Sequence, residues 1–281
     1  MQFRTIVDIP APKWKINPCE RMLFVGSCFA DNMGRRFRDE KFRGIANPYG
    51  VMYNPASILH TVERLVMEKA LPFETEEAGT AIFTLGTNHI YILKETGEIV
   101  DNCQKKPQNL FEEREFTIAE CADYIRRSIG VIHSYFPQVN IMLTVSPIRY
   151  RKYSYHGSQL SKATLLLAID DVIKNHDTNG RGNVAYFPSY EIVHDELRDY
   201  RFYEEDMLHP SAQAVDYIFE RLGETYFSDE TIEFLKAWKP IREAFTHKPF
   251  NPESSEYKAF REKAERKAKE LQRRYPALEL E

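Results

Sequence analysis

Four short apolar runs, Met22–Val25, Ala81–Leu85, Asn140–Val145 and Val184–Tyr186, are each bounded by turn residues. They alternate with stretches of helical period at Phe29–Glu40, Pro55–Glu68, Ile118–Tyr135, Leu160–Asn175 and Ser211–Tyr226. Strands separated by helices cannot pair through tight hairpins, so they line up in parallel, and a parallel sheet must be covered on both faces. The expectation is therefore an α/β fold with a mostly parallel central sheet. In the last helix Ala212, Val215, Ile218, Phe219 and Leu222 recur on one face, which should lie on that sheet. Ser211 follows Pro210 where such a helix should begin.

A chain of 281 residues is long enough for one large domain or two small ones. Local composition changes once, near residue 250. Beyond His247-Lys248-Pro249 the chain is strongly charged, yet Tyr257, Phe260, Ala264, Ala268, Leu271, Tyr275 and Leu278 recur at steps of three and four. That pattern predicts an amphipathic helix from about Ser254 to Tyr275, and an organisation of a body, 1–245, and a C-terminal helical extension, 246–281. The stripe is suited either to packing on the chain's own body or to a homodimer interface.

Hydrophobic residues at 43% and charged residues at 28% describe an ordinary folded protein. Lys plus Arg at 38 against Asp plus Glu at 42 leaves a net charge of -4, without the basic excess that phosphate-backbone binding needs, so no nucleic-acid partner is expected. No window approaches the ~18 consecutive apolar residues of a membrane span, and the first fifteen residues are too polar for the apolar core of a signal peptide. The expectation is a cytoplasmic protein with no membrane partner. Cys19, Cys28, Cys103 and Cys121 form no C-x-x-C pair and read as free thiols.

Chemistry begins where the apolar run ends at Gly26 and meets Ser27, Cys28 and Phe29. At a strand-to-helix turn the free N–H groups and the positive end of the helix dipole favour a thiolate or a developing oxyanion. A small-residue turn with an inert cysteine would look the same. In Asp206-Met207-Leu208-His209 a carboxylate three residues before an imidazole can accept its Nδ1 proton and leave Nε2 as a general base, although a surface pair would share that spacing. Gly86-Thr87-Asn88 ends the second strand candidate and places an amide where it could donate to an oxyanion or cap a turn. Asn47-Pro48-Tyr49-Gly50 is a turn whose Gly could present a bare N–H. His89 reads as a structural histidine. Arg149 and Tyr150 follow a strand candidate, at the sheet edge where ligands bind, and suit a sugar or an anionic acyl substrate. Tyr200, Phe202 and Tyr203 could form the opposite rim.

In this order the blocks resemble the SGNH (GDSL-like) hydrolase superfamily over roughly residues 1 to 240. The opening motif, with Asn47-Pro48-Tyr49-Gly50, Asn54-Pro55 and Thr144-Val-Ser-Pro-Ile-Arg149, resembles its GSCFA branch. The resemblance implies a three-layer α/β/α sandwich with a nucleophile at a strand end. It also implies an oxyanion hole from Gly50 and Asn88, and a general base, His209, oriented by Asp206. The superfamily's first block is G-D-S; here strict register puts Cys28 in place of the Ser and Ser27 in place of the Asp, while a shift of one residue would make Ser27 the nucleophile. His89 stands where the family usually has Asp. The implied activity is hydrolysis or transfer of a small acyl ester, such as an O-acetylated sugar, through an acyl-enzyme without a cofactor. The rival is a non-catalytic ligand-binding module. A zinc site from Cys28, Asp206 and His209 would use acceptable ligands but lacks a paired-ligand motif. Phosphoryl transfer lacks its Gly-rich loop.

Overall fold

The computed structural model describes residues 4–103, 106–176 and 180–280. Its strands, in chain order, are β1 (Arg21–Gly26), β2 (Arg43–Ala46), β3 (Thr80–Leu85), β4 (His89–Leu93), β5 (Ile99–Val100), β6 (Phe111–Glu115), β7 (Asn140–Val145) and β8 (Val184–Tyr186). Its helices are α1 (Cys28–Asp39), α2 (Pro55–Met67), α3 (Ile118–Tyr135), α4 (Ser154–Lys174), the short α5 (Ser189–Glu191), α6 (Ala212–Tyr226), α7 (Asp229–Thr246) and α8 (Ser255–Arg274). Five strands form one parallel sheet in the order β2-β1-β3-β7-β8. The fold is thus α/β with a parallel central sheet and helices on both faces.

Side-chain alternation in β1 sorts the two layers, because successive residues of a strand face opposite ways. Leu23 and Val25 join the core under α2, α3 and α4, whereas Met22 and Phe24 join the core under α1 and α6. The second core centres on Phe37, wholly buried, whose ring lies 5.3 Å from Phe24 and 4.9 Å from Phe219. Truncating Phe37 to Ala would cost about 3 to 5 kcal/mol by the usual cavity rule.

Helix starts follow their caps. Asn54 accepts from the Ser57 N–H with Pro55 in the first turn of α2, and Thr117 with Glu120 forms a full capping box on α3. The predicted helix at 160–175 begins earlier, at Ser154.

Three elements escape the periodicity argument. Strand β2 is a half-buried edge of four residues held by its ladder to β1. A second, antiparallel sheet, β5-β4-β6, is inserted between β3 and β7, and its strand Phe111–Glu115 is almost all charged. Helix α7 contains Pro240, which reads as a breaker, yet Phe234, Trp238, Ile241 and Ala244 still bury one continuous stripe. Helix α8 forms as expected. Its Ala268, Leu271 and Tyr275, with Leu278, pack on Phe234, Trp238 and Ile241 of α7 and on Cys19. The later part of the apolar stripe is therefore covered within the chain, while Phe260 near its start stays exposed.

Strands β1, β3 and β7 finish level, with Gly26 beside Thr84 and Leu85 beside Val145. The Gly26-Ser27-Cys28 turn leaves the sheet at this common carboxyl edge.

Candidate active site

At Gly26 the chain turns out of the sheet with φ +148°, and a Cβ there would lie 2.1 Å from the Thr84 carbonyl oxygen, so only Gly permits the turn. Two neighbours hold it. The Ser27 N–H donates to the Thr84 carbonyl at 3.1 Å, and the Gly26 N–H donates to Asn47 Oδ1 at 2.8 Å. Ser27 is the N-cap of α1: its Oγ accepts from the Phe29 N–H at 3.3 Å and donates to Ser146 Oγ at 2.9 Å, just past β7. Ser27 is wholly buried, whereas Cys28, the first helical residue, is half-buried.

The Cys28 thiol has the Tyr53 hydroxyl as a hydrogen-bond neighbour. Burial, then the Asp31 carboxylate one turn on, push this thiol above its ordinary value, with the Tyr53 contact pulling the other way. Desolvation of the charged form thus opposes the thiolate that a helix terminus favours. Burial raises Cys19 to about 11 and Cys121 to about 12.

Asp206 and His209 form the pair that their spacing predicts. Asp206 Oδ2 meets His209 Nδ1 at 2.5 Å, while Oδ1 accepts the N–H groups of Leu208 and His209 at 2.8 and 3.0 Å. The N–H and imidazole of His209, followed by the Leu208 N–H, hold the carboxyl at about 2. Nε2 of His209 has no hydrogen-bond partner among the described residues. This turn is tied to the carboxyl edge by the Arg149 N–H, which donates to the Leu208 carbonyl at 3.1 Å, three residues beyond Ser146.

The other predicted residues divide. Tyr150 lies at the site, its ring edge-on to Tyr53 at 6.0 Å. The Arg149 guanidinium donates to the Met207 carbonyl at 3.0 Å, inside the Asp206–His209 turn, stacks on Tyr155 and lines a cavity of about 220 Å³ with Tyr200 and Tyr203. Gly50 donates its N–H to the Asn47 carbonyl at 2.8 Å. Asn88 is buried with its amide nitrogen donating to the Phe116 carbonyl at 2.8 Å, which pins the β6–α3 junction. As placed, the Gly50 N–H is taken by its own turn, and one of the two Asn88 amide N–H groups is taken by the β6–α3 junction. His89 opens β4 and stacks flat on Tyr153 at 3.5 Å. Among the described residues no group of three His, Cys, Asp or Glu side chains is placed to hold a metal ion.

Three residues at the site were not anticipated. Ser146 sits inside the Thr144–Arg149 motif, and Tyr53 directly precedes the Asn54 cap, so both had a nearby signal. Lys162 had none, since a helical lysine reads as solvated. It is wholly buried, donating to the Gly86 and Ser146 carbonyls at 2.7 Å each and so joining the ends of β3 and β7. Burial pulls its ammonium down to about 7. A cavity of about 340 Å³ opens beside these residues, lined by Tyr53, Thr87, His89, Phe111, Tyr150 and Tyr153 among others.

A parallel α/β sheet with a thiol-bearing turn at its carboxyl edge, and an oriented histidine in a turn tied to that edge, defines an α/β domain. The model of the GSCFA family matches residues 21–76 and 70–222, well over half the chain, and the protein belongs to the GSCFA family. The model described as the GSCFA domain protein, C-terminal domain, matches residues 238–281. No curated protein matches the chain significantly. Similar solved structures include one titled "putative platelet activating factor from Streptococcus pneumonia", with 15% identity, 75% of this chain and 85% of that one covered, and a TM-score of 0.44. An acetyl esterase mutant with acetate shares 10% identity over 77% of this chain and 98% of its own, with a TM-score of 0.43. A carbohydrate esterase of family 3 from Talaromyces cellulolyticus shares 10% over 77% and 98%, with a TM-score of 0.41. At these identities and scores the likeness carries no argument about activity. Among the described residues no helix is long and apolar enough to cross a membrane.

Proposed function

We propose that this protein is a hydrolase or acyltransferase of a small acyl ester, working through a thioester on Cys28. The observation that carries the reading is the His209 imidazole, oriented at Nδ1 by Asp206 at 2.5 Å with Nε2 left open, in a turn tied to the edge that carries Cys28. An imidazole held this way is poised to take a proton and return it.

In the proposed sequence, Cys28 gives its proton to His209 Nε2 and Sγ attacks the acyl carbon, moving the carbonyl π electrons onto oxygen. Collapse breaks the bond to the alcohol oxygen, which leaves with the proton from Nε2. Water, or an acceptor hydroxyl, then attacks the thioester, its proton passing through Nε2 to the departing Sγ. Because burial pushes the thiol up, the reading relies on His209 to take its proton.

A second reading, a ligand-binding module without turnover, draws support from the engagement of the Gly50 N–H in its own turn. Mass spectrometry after incubation with a panel of p-nitrophenyl acyl esters separates the two. An acyl adduct on the Cys28 peptide is expected, absent in Cys28→Ala, and His209→Ala should lower turnover by at least ~10²-fold. Absence of an adduct with every ester, or its survival in Cys28→Ala, would overturn the thioester reading.

A further inference from the structure

A tetrahedral intermediate at Cys28 needs donors for its oxygen, and of the two that the family resemblance assigns the Gly50 N–H is taken by the Asn47 carbonyl and one of the two Asn88 amide N–H groups by the Phe116 carbonyl, each at 2.8 Å. Two phenols stand beside the thiol instead. The Tyr53 hydroxyl contacts Cys28 itself. The Tyr150 hydroxyl is buried with no partner among the described residues, which is rare for a polar group unless a ligand completes it.

The surroundings hold these two side chains in place. The Tyr53 carbonyl accepts the N–H groups of both Gly86 and Thr87, at 2.9 and 2.8 Å, fixing it against the end of β3. The Tyr150 N–H donates to Ser158 Oγ at 3.2 Å, and the Lys162 ammonium lies 4.9 Å from its ring centre. Gly86 makes room for the free hydroxyl, because a Cβ there would lie 2.4 Å from the Tyr150 oxygen and 2.9 Å from the Tyr53 carbonyl. Both tyrosines line the 340 Å³ cavity.

We propose that the hydroxyls of Tyr53 and Tyr150, in place of the engaged Gly50 N–H, form the oxyanion hole of Cys28, donating to the carbonyl oxygen of an acyl group carried on Sγ. The proposal rests on the thioester reading. A phenol can serve this purpose because it donates strongly while remaining neutral. Burial raises both phenols, so each keeps the proton it would donate. Charge grows on the oxygen only as Sγ attacks, so these hydrogen bonds strengthen in the transition state more than in the bound ester.

Tyr53→Phe and Tyr150→Phe, compared with wild type on the ester that turns over best, test it. Each variant should lose ~10²-fold in kcat with KM nearly unchanged. Tyr150→Phe should also melt no lower than wild type, since it removes a hydroxyl that has no partner in the resting protein. Tyr53→Phe should move the pH midpoint of Cys28 alkylation by iodoacetamide upward, because a hydrogen bond to the thiolate is lost. Wild-type turnover with both variants within threefold of it would overturn this proposal and leave the thioester reading standing. A wild type that forms no acyl adduct would bring down both. A kcat loss in Tyr150→Phe that tracks a fall in melting temperature would assign it to scaffolding and overturn the proposal.

Discussion

Replacing Ser27 by Ala asks whether the residue that strict register puts beside the nucleophile is structural. Its Oγ accepts the Phe29 N–H and donates to Ser146 Oγ at 2.9 Å, in a place with no solvent exposure. Loss of the N-cap should cost about 0.5 to 2 kcal/mol, and loss of a buried hydroxyl pair about 1 more. Ser146 Oγ keeps one partner, the Ile148 N–H at 3.3 Å, so the second contribution is not enlarged by a stranded group. The total, roughly 1.5 to 3 kcal/mol, corresponds to a melting point lower by about 3 to 10 °C for a chain of this size. The turn itself should survive, because the Ser27 N–H and the Asn47 brace use backbone groups that Ala retains. Thermal melts and urea titrations read the stability, and p-nitrophenyl ester hydrolysis reads the function. A destabilised Ser27→Ala that keeps most of its turnover is the expected outcome. An unaltered melting point with turnover abolished would refute the reasoning and transfer the nucleophile's role to Ser27.

The Asp31 carboxylate adds to the burial that raises the Cys28 thiol, so Asp31→Asn should let iodoacetamide alkylate Cys28 at lower pH; an unmoved midpoint would show that burial alone sets the reactivity. Burial also pushes the Glu20 carboxyl from 4.5 up to about 7, where it accepts from the Asn17 N–H and the Thr80 hydroxyl. The folded chain then holds a proton that the unfolded chain releases. The stability from this site is full below pH ~4.5 and is lost as pH rises through about 7, by up to about 3 kcal/mol. Urea midpoints at pH 5 and 8 should differ more in wild type than in Glu20→Gln, and equal differences would remove Glu20 as the cause. Truncation after Lys248 deletes α8, which covers Cys19, Phe234 and Trp238, while α7 stays anchored by the Trp238 indole N–H on the Asp39 carbonyl at 3.0 Å. The shortened chain should fold with lower stability and with Cys19 newly open to thiol reagents; a protected Cys19 would show that α8 is not its cover.

Apolar period alone located the central strands of the sheet and most of the long helices, because burial against a common core imposes steps of two or of three and four whatever the partner. The strand β7 and helix α3 lie where the pattern puts them. Ser211 marked the start of α6, since an orphan N–H is a local need met by a local residue. The Asp206–His209 pair was legible for the same reason: three residues of chain suffice to bring the groups together.

Groups that meet across the fold were not legible. Strand β2 and the β4–β6 insertion take their conformation from ladders with distant partners, and α7 crosses Pro240 because its stripe is buried on both sides of it. Gly50 and Asn88 carry the right residue types at the right places in the chain, yet Asn47 claims the Gly50 N–H and Phe116 one of the two Asn88 amide N–H groups. Tyr53, Tyr150 and Lys162 converge on Gly86 from three separate segments, and sequence spacing carries no information about such meetings. Residue types and local order determined which chemistry the chain offers. Competition among donors, and the burial of Ser27 but not Cys28, arises only once the whole chain is packed, because desolvation and hydrogen-bond partners belong to the assembled environment rather than to the residue.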